Sequence, residues 1–455
     1  MAVGDFDTFY PSDPWQMLTE NQRKWYDPML RDVYRKKRVF GQFTTFQQSL
    51  GAVNAKDMQI TSLYDVHANT DPIGLRQMWL DSRHIDSRSL SITFNRYGGK
   101  VSYHAYDDII TYWKQGGSNA TVIRSILNGK LGMHMTDVQD MLSRNALLSV
   151  PYKLYAGGAT SFGDLSPDDR ITTTMLKEIH LGMKYRDVPY AQSTDGTVGS
   201  IVCLTSPGVL FDLQTQTDPD AWLWPLAYAD PVRLLNYEVG SYQNVRFIET
   251  PKCTLFNCGP ITAQCAITTA INAGDGAPAT NVDGVYKVGQ TGVRNYVQLD
   301  PATSAGTMAL FQLNQVATIH VDRTNANGVT NGVDYTDGKL HNRRIVAIDA
   351  GNKRLSFEEP IMEDFNVDLG SGVYGYVTIG QHVHTAIFVG GQDGIVNGVG
   401  RAPRLYTPPP VDDFESIYRF SWDSYQGYGV YNPKVVEVVV CGASFRQVGP
   451  IQTAG

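Results

Sequence analysis

Gly199-Ser-Ile-Val-Cys-Leu-Thr-Ser-Pro-Gly-Val-Leu-Phe-Asp-Leu213 places a strand and a helix side by side. Ile201 to Leu204 is an unbroken apolar run, the pattern of a strand covered on both faces. Ser206-Pro207 then starts a short helix through Leu213, since proline is tolerated in the first turn, where an N–H would go unpaired anyway. Moving outward, Val245 to Ile248 reads as a second strand. Near the C-terminus two more follow: Tyr418, Phe420 and Trp422 alternate with polar residues, and Val435 to Cys441 is a Val-rich run. Strands of this kind, interleaved with helices, point to a mixed α+β chain.

Upstream, Leu90, Ile92 and Phe94 alternate with polar residues, and Val101, Tyr103 and Ala105 do so after Gly98-Gly99. Two glycines between alternating runs predict a type I′ hairpin, whose central residues both need φ > 0. That turn sets Phe94 against Tyr103 and Ile92 against Ala105. A lone hairpin is marginal in water, so the apolar face of Ser89–Asp107 is expected to lie against something else, in its own chain or in another. Thr136 and Gln139 form a capping box ahead of Val138, Met141, Leu142 and Leu148, and Pro151 and Gly157-Gly158 end that helix. Ser166, Pro167 and Asp168-Asp169 predict the start of another, with a stripe of Ile171, Met175, Ile179 and Met183.

Between about Cys253 and His384 helical periodicity disappears and Gly, Asn, Asp and Thr dominate. Val346 and Ile348 against Leu355 and Phe357, around Ala350-Gly351-Asn352, is the best hairpin there. This stretch reads as a compact all-β insertion, a small barrel or sandwich. A Gly-rich turn at Gly390–Gly400 and the run Pro408-Pro409-Pro410 follow it. No repeat of 20–50 residues is found.

The chain has 455 residues, too many for one hydrophobic core, so two or three packed units are expected. Charged residues are 18% and tyrosines number 25. Low charge with abundant Tyr suits a chain that gives surface to neighbours, and suits a secreted β-rich domain as well. The net charge of −7 disfavours a protein that grips nucleic acid through its phosphates. No apolar run reaches the roughly 18 residues of a membrane span, and Met1–Trp15 does not read as a signal peptide. The five cysteines match no zinc spacing and read as free thiols of a reducing cytoplasm.

Catalytic patterns are weak. Gly390–Gly400 lacks the Lys-Ser/Thr of a phosphate loop. Ser200 and Ser206 lie outside any Gly-x-Ser-x-Gly elbow. His382 and His384 could share a strand face and hold a metal, but packing explains them as well without a third ligand. The run Asp322–Asp337 fails calcium-loop spacing. No nucleophile, base and orienting group come together, so no enzyme, cofactor or metal is expected.

The order of these elements resembles the major capsid protein of tailed bacteriophages, the Johnson fold shared with herpesvirus capsids and encapsulins, in the branch that carries an insertion domain. Gly199–Leu213, Tyr237–Pro251, Arg344–Pro360 and Asn432–Cys441 carry the likeness. The resemblance implies a division into an N-terminal arm (1–60), an extended loop (61–115, hairpin 89–107) and a peripheral domain with a spine helix (116–190, the helix at Thr136–Tyr155). It continues with a first axial part (191–252), a β-rich insertion domain (253–384), and an axial return with closing peripheral strands (385–455). It implies self-assembly into pentamers and hexamers of an icosahedral virion shell in the host cytoplasm. Portal and scaffolding proteins would be partners, a decoration protein could join them, and enclosed double-stranded DNA would be contacted only non-specifically, with no membrane. Ile92, Phe94, Gly98, Gly99 and Tyr103 of the extended loop would contact a neighbouring subunit. Arg31, Arg35, Lys36, Lys37 and Arg38 would face DNA or scaffold, unless they form a solvated arm. Two rival functions stand beside this one: an encapsulin-like compartment shell, and a secreted β-rich carbohydrate-active enzyme.

Overall fold

The computed structural model describes residues 39–46, 57–63, 85, 87–104, 119–189, 200–216, 238–268, 296–320, 340–358, 372–373, 375–391, 394–407 and 417–443. Its centre is a mixed seven-stranded sheet. Strands β5 (Lys153–Tyr155), β19 (Val436–Cys441), β16 (Val383–Val389), β6 (Ile201–Thr205), β8 (Val245–Glu249) and β7 (Glu238–Tyr242) lie in that order, and β9 (Thr254–Leu255) pairs with β16. β6 runs parallel to β8, and β16 is antiparallel to both β6 and β19.

The apolar runs are continuous because both faces are covered. Val202, Leu204, Ile387, Val389, Val436, Val438 and Val440 enter one core cluster. Their neighbours Ile201, Cys203, Ala386, Phe388, Val439 and Cys441 enter a second. The first face is closed by Ala146, Leu147 and Leu148 of helix α1 (Asn119–Leu148), together with Val39 and Phe40. The second is closed by α2 (Thr173–Tyr185) and α3 (Pro207–Gln216). The run Val436–Cys441, as β19, pairs with β16 in the sheet that also holds the Gly199–Leu213 strand, and its alternate valines are covered on two sides.

A four-stranded sheet holds β1 (Thr44–Phe46), β17 (Ile395–Tyr406), β18 (Ile417–Val430) and β4 (Asn95–His104), in that order. The middle of α1 crosses one of its faces. Leu127, Leu131, Met135 and Val138, spaced three or four apart, pack on Phe420, Trp422 and Tyr418. At 1.5 Å per residue α1 spans about 45 Å, so one helix braces both sheets. A two-stranded ribbon of β2 (Asp57–Leu63) and β3 (Ser87–Thr93) lies against the opposite face of the four-stranded sheet, where Ile92 and Met58 meet Val396.

The third sheet is antiparallel: β10 (Ile261–Ile267), β15 (Gly375–Gly380), β12 (Val316–His320), β13 (Leu340–Asp349), β14 (Arg354–Phe357) and β11 (Tyr296–Gln298). A bridge between Ile267 and Leu299, and an Asp300 N–H donated to the Ala266 carbonyl, join its two edges, so the sheet closes into a small barrel. A short helix α4 (Ala305–Leu310) packs Met308 into the barrel's own core with Ile319, Ile345, Leu355, Phe357 and Val377. The β13–β14 hairpin pairs Ile348 with Leu355 as the sequence predicts. A bulge beyond Ala347 sets Ile345 opposite Phe357, so Ile345 rather than Val346 fills the core.

Two helix starts differ from expectation. Thr136 lies inside α1, where its hydroxyl donates to the Gly132 carbonyl; a Ser/Thr side chain bonded back to residue i−4 is the alternative to a cap. The Ser166–Asp169 signal forms a separate turn, closed by Ser166 N–H on Asp169 Oδ2. α2 is capped at Thr172, whose Oγ1 accepts from Met175 N–H at 3.2 Å.

Candidate assembly surface

Ser89–Asp107 does not fold into the hairpin that its glycine doublet suggests. β3 pairs with β2, β4 pairs with β18, and Phe94 is the residue between the two pairings. Gly98 and Gly99 sit inside β4, opposite Asp423 and Trp422. Neither has a positive φ, and close approach explains both. A Cβ on Gly98 would lie 2.7 Å from the Trp422 carbonyl oxygen. One on Gly99 would lie 2.9 Å from both His134 Cε1 and Trp422 Nε1. Bare backbone here lets α1 settle on the sheet, with Trp422 Nε1–H donating to His134 Nδ1 at 3.2 Å.

The apolar face expected to meet a neighbour is largely used within the chain. Ile92 is 2% exposed, seated over Gly427 and Gly429. Phe94 is half-buried beside Gly398 and Gly400. The glycines of β17 and β18 make the bed for β3, and their isolated positions in a strand are the signal that sequence reasoning passed over. Tyr103 pairs with Tyr418 through the backbone. Arg31, Arg35, Lys36, Lys37 and Arg38, Ala105–Asp107 and Asp322–Asp337 lie outside the described residues.

A second constellation fixes where the chain enters the fold. Asp140, fully buried on α1, accepts three backbone N–H bonds on Oδ1, from Val39, Phe40 and Gly41, at 2.9, 2.8 and 3.3 Å. Its Oδ2 takes the Lys252 ammonium at 2.8 Å, which also reaches Asp137 at 3.1 Å. Arg144 donates to the Lys252 carbonyl at 2.9 Å. A buried carboxylate is tolerable only when so fully met. An aspartate in the middle of a helix gives no local sign of a partner a hundred residues away.

His384 and His382 stand apart in chemistry. The His384 Nδ1 is 2.8 Å from the Ser206 hydroxyl, and the His382 Nδ1 accepts from Asn257 N–H. Desolvation lowers both imidazoles to about 4; at His384 the charge of His382 adds to this and Asp212 acts the other way. Ser206 and His384 form a hydroxyl–imidazole pair, but they are 0% and 4% exposed, so no substrate reaches them. Ser206 instead caps α3, its Oγ accepting from Val209 N–H at 3.5 Å. All five cysteines are free and buried. Burial raises Cys253 and Cys441 to about 12 and Cys203 well above its ordinary value. Among the described residues no group of three or more His, Cys, Asp or Glu could hold a metal. No described helix is long and apolar enough to cross a membrane.

No protein-family model matches the chain, and no curated protein matches it. Solved structures do. The capsid of Ralstonia phage GP4 is 12% identical, with a TM-score of 0.53 over 94% of this chain and 97% of that one. The Cyanophage Pam1 capsid asymmetric unit, 11% identical, gives 0.49 over 94% and 98%. The head structure of Helicobacter pylori bacteriophage KHP40, 9% identical, gives 0.48 over 92% and 94%. On the first of these, the chain has the α+β fold of a phage capsid subunit.

Proposed function

We propose that the chain is the major capsid protein of a tailed bacteriophage, a non-enzymatic shell subunit of the virion. The observation that carries this is the likeness to the Ralstonia phage capsid along nearly the whole of both chains. A likeness of that extent runs along the chain and is not confined to one common module. In this reading pentamers and hexamers form from one chain, so the same contacts recur at slightly different angles. α1 with the four-stranded sheet serves as the peripheral domain, and the seven-stranded sheet as the axial domain. The β2–β3 ribbon, rather than a hairpin over Ser89–Asp107, is the base of the extended loop. The barrel serves as the insertion domain, joined through a neck where Asn257, at φ 54°, donates to Thr318 and the Val316 carbonyl and accepts from Gly380. Scaffolding and portal proteins complete the assembly, a decoration protein meets the barrel, and enclosed DNA is held without sequence preference.

Expression of the full chain, alone and with its neighbouring genes, followed by electron microscopy and sedimentation velocity, tests this. Closed shells or capsomers are expected. A chain that stays monomeric at high concentration and with every co-expressed neighbour would overturn it.

A further inference from the structure

The barrel closes its own core. Among the described residues, the side chains that fill it all lie within residues 263–379, and none belongs to either core cluster of the seven-stranded sheet. Apolar packing therefore holds the barrel together without aiming it. Between the two sheets the chain passes twice, outward from β9 to β10 and back from β15 to β16. The two passes pair, with Gly259 N–H donating to the Gln381 carbonyl at 2.9 Å and Gln381 N–H to that of Pro260 at 3.0 Å. They cross so closely that a Cβ on Gly380 would lie 2.7 Å from the Pro260 oxygen. A two-stranded ribbon is marginal by itself, so two passes alone do not fix an angle. Asn257 supplies a third tie. Its side chain is fully buried, with both donors and its acceptor engaged. Nδ2 donates to the Val316 carbonyl at 3.0 Å and to Thr318 Oγ1 at 2.8 Å, and Oδ1 accepts from Gly380 N–H at 3.1 Å. Thr318 Oγ1 in turn donates to Asn342 Oδ1 at 2.7 Å. The backbone N–H of Asn257 reaches His382 Nδ1 at 3.2 Å, and the Phe256 ring stands edge-on to that imidazole. One residue thus joins β12 and β15 of the barrel to the chain entering β16.

We propose that this neck is a polar latch: the Asn257 side chain locks the barrel's orientation on the seven-stranded sheet, and undoing its three bonds lets the barrel swing as a body without unfolding. The latch is a property of one copy and does not depend on the assembly reading. Its basis is a separation of interactions. The barrel's apolar core takes no part in the neck, and the Asn257 ties are hydrogen bonds, which are directional and so set an angle as apolar contact does not. Without the amide, a buried hydroxyl, carbonyl and N–H each lose a partner and need water instead. Water then enters at the neck, not in the barrel core. Hinges are a few residues at element ends that absorb the change in φ and ψ, and Phe256–Pro260 and Gln381-His382 occupy that place here.

Asn257→Gly in the full-length chain tests the latch, because glycine accepts φ 54° and only the side-chain bonds are lost. Ala350→Cys on the barrel and Leu181→Cys on α2, both exposed, carry spin labels, since all five native cysteines are buried. Labelled chain is diluted in unlabelled chain, so that pulsed electron resonance reads distances within one copy. One narrow distance distribution is expected with Asn257 in place, and one at least about twofold broader in Asn257→Gly. Hydrogen exchange should show amide protection at Gly259, Gly380 and Gln381 falling at least about tenfold, with β13 and β14 unchanged. Thr318→Val, nearly isosteric, removes one of the three ties and should broaden the distribution less. It decides the matter alone if Asn257→Gly does not fold. A distribution already broad with Asn257 in place overturns the proposal, as does one that stays narrow in both variants. Equal loss of protection through β13 and β14 would assign Asn257 to the barrel's fold instead, and overturns it too.

Discussion

The seven-stranded and four-stranded sheets share α1 but solve burial differently. In the first, β6, β16 and β19 bury every residue, and alternate side chains enter two separate cores. In the second, one face meets α1 and the other carries glycines under β3 and cations toward solvent. A strand covered twice must be apolar at consecutive positions, and such a run is visible in isolation. A strand covered on one face and crossed closely on the other needs bare backbone at particular points, and glycine has several meanings. The doublet Gly98-Gly99 looks like a turn because the partners that demand it, Trp422 and His134, are distant in sequence.

The largest expected effect tests the doubly covered sheet. Phe388, 1% exposed on the central strand β16, reaches the core beneath α2 and α3. Phe388→Ala should cost about 3–5 kcal/mol, the usual range for a large aromatic removed from a packed core. Chemical denaturation of the subunit measures it. A loss below about 1 kcal/mol would mean that this sheet is not the better-packed of the two.

Acid should act on the same sheet. Burial holds His382 and His384 at about 4, below the ordinary 6.5, so the unfolded chain binds protons there that the folded chain refuses. Their contribution to stability is complete above pH 6.5, falls as pH drops toward 4, and is constant below that. At about 1.4 kcal/mol per pH unit, each ring accounts for about 3 kcal/mol across the window. Denaturation midpoints between pH 7 and 4 report the slope, and His382→Gln should remove its share. A flat profile across that window would show the rings already charged or open to water.

Gly98→Asn separates the two meanings of the glycine. In a type I′ turn asparagine is welcome. In β4 its Cβ meets the Trp422 carbonyl oxygen at 2.7 Å, so a loss of about 1–3 kcal/mol is expected, as for overpacked sites. A neutral result would return the hairpin and dissolve the contrast between the sheets.

How far the fold was legible follows the same division. Ile201–Leu204, Val245–Ile248, Val435–Cys441 and the alternation Tyr418, Phe420, Trp422 all became strands where expected. Burial writes those patterns into neighbouring residues. The sheet to which β19 belongs, the Asp140 anchor and the glycine bed under Ile92 were not legible. Each depends on a contact between distant segments, with nothing beside the residue to announce it.

The smallest expected effect lies where even the legible sheet was misjudged, at the start of the helix that covers it. Ser166, Pro167 and two aspartates have every local mark of a helix start, yet they close a turn of their own, in which Ser166 Oγ accepts from Asp168 N–H at 3.2 Å. The chain reaches Thr172 in an extended conformation, and only there does a side chain accept from the third residue of the helix. The choice is made by the core: Leu176, Ile179 and Met183 must face Phe388 and Val439, which sets both the axis and the first turn of α2. Thr172→Ala should therefore cost about 1 kcal/mol, the typical worth of a threonine cap. Ser166→Ala removes one bond in an exposed turn and should cost only a few tenths, within the range of ordinary surface changes. Paired denaturation curves of the two variants decide it. A larger loss at Ser166 than at Thr172 would mean that local signals, not the packing demand of the sheet, position α2.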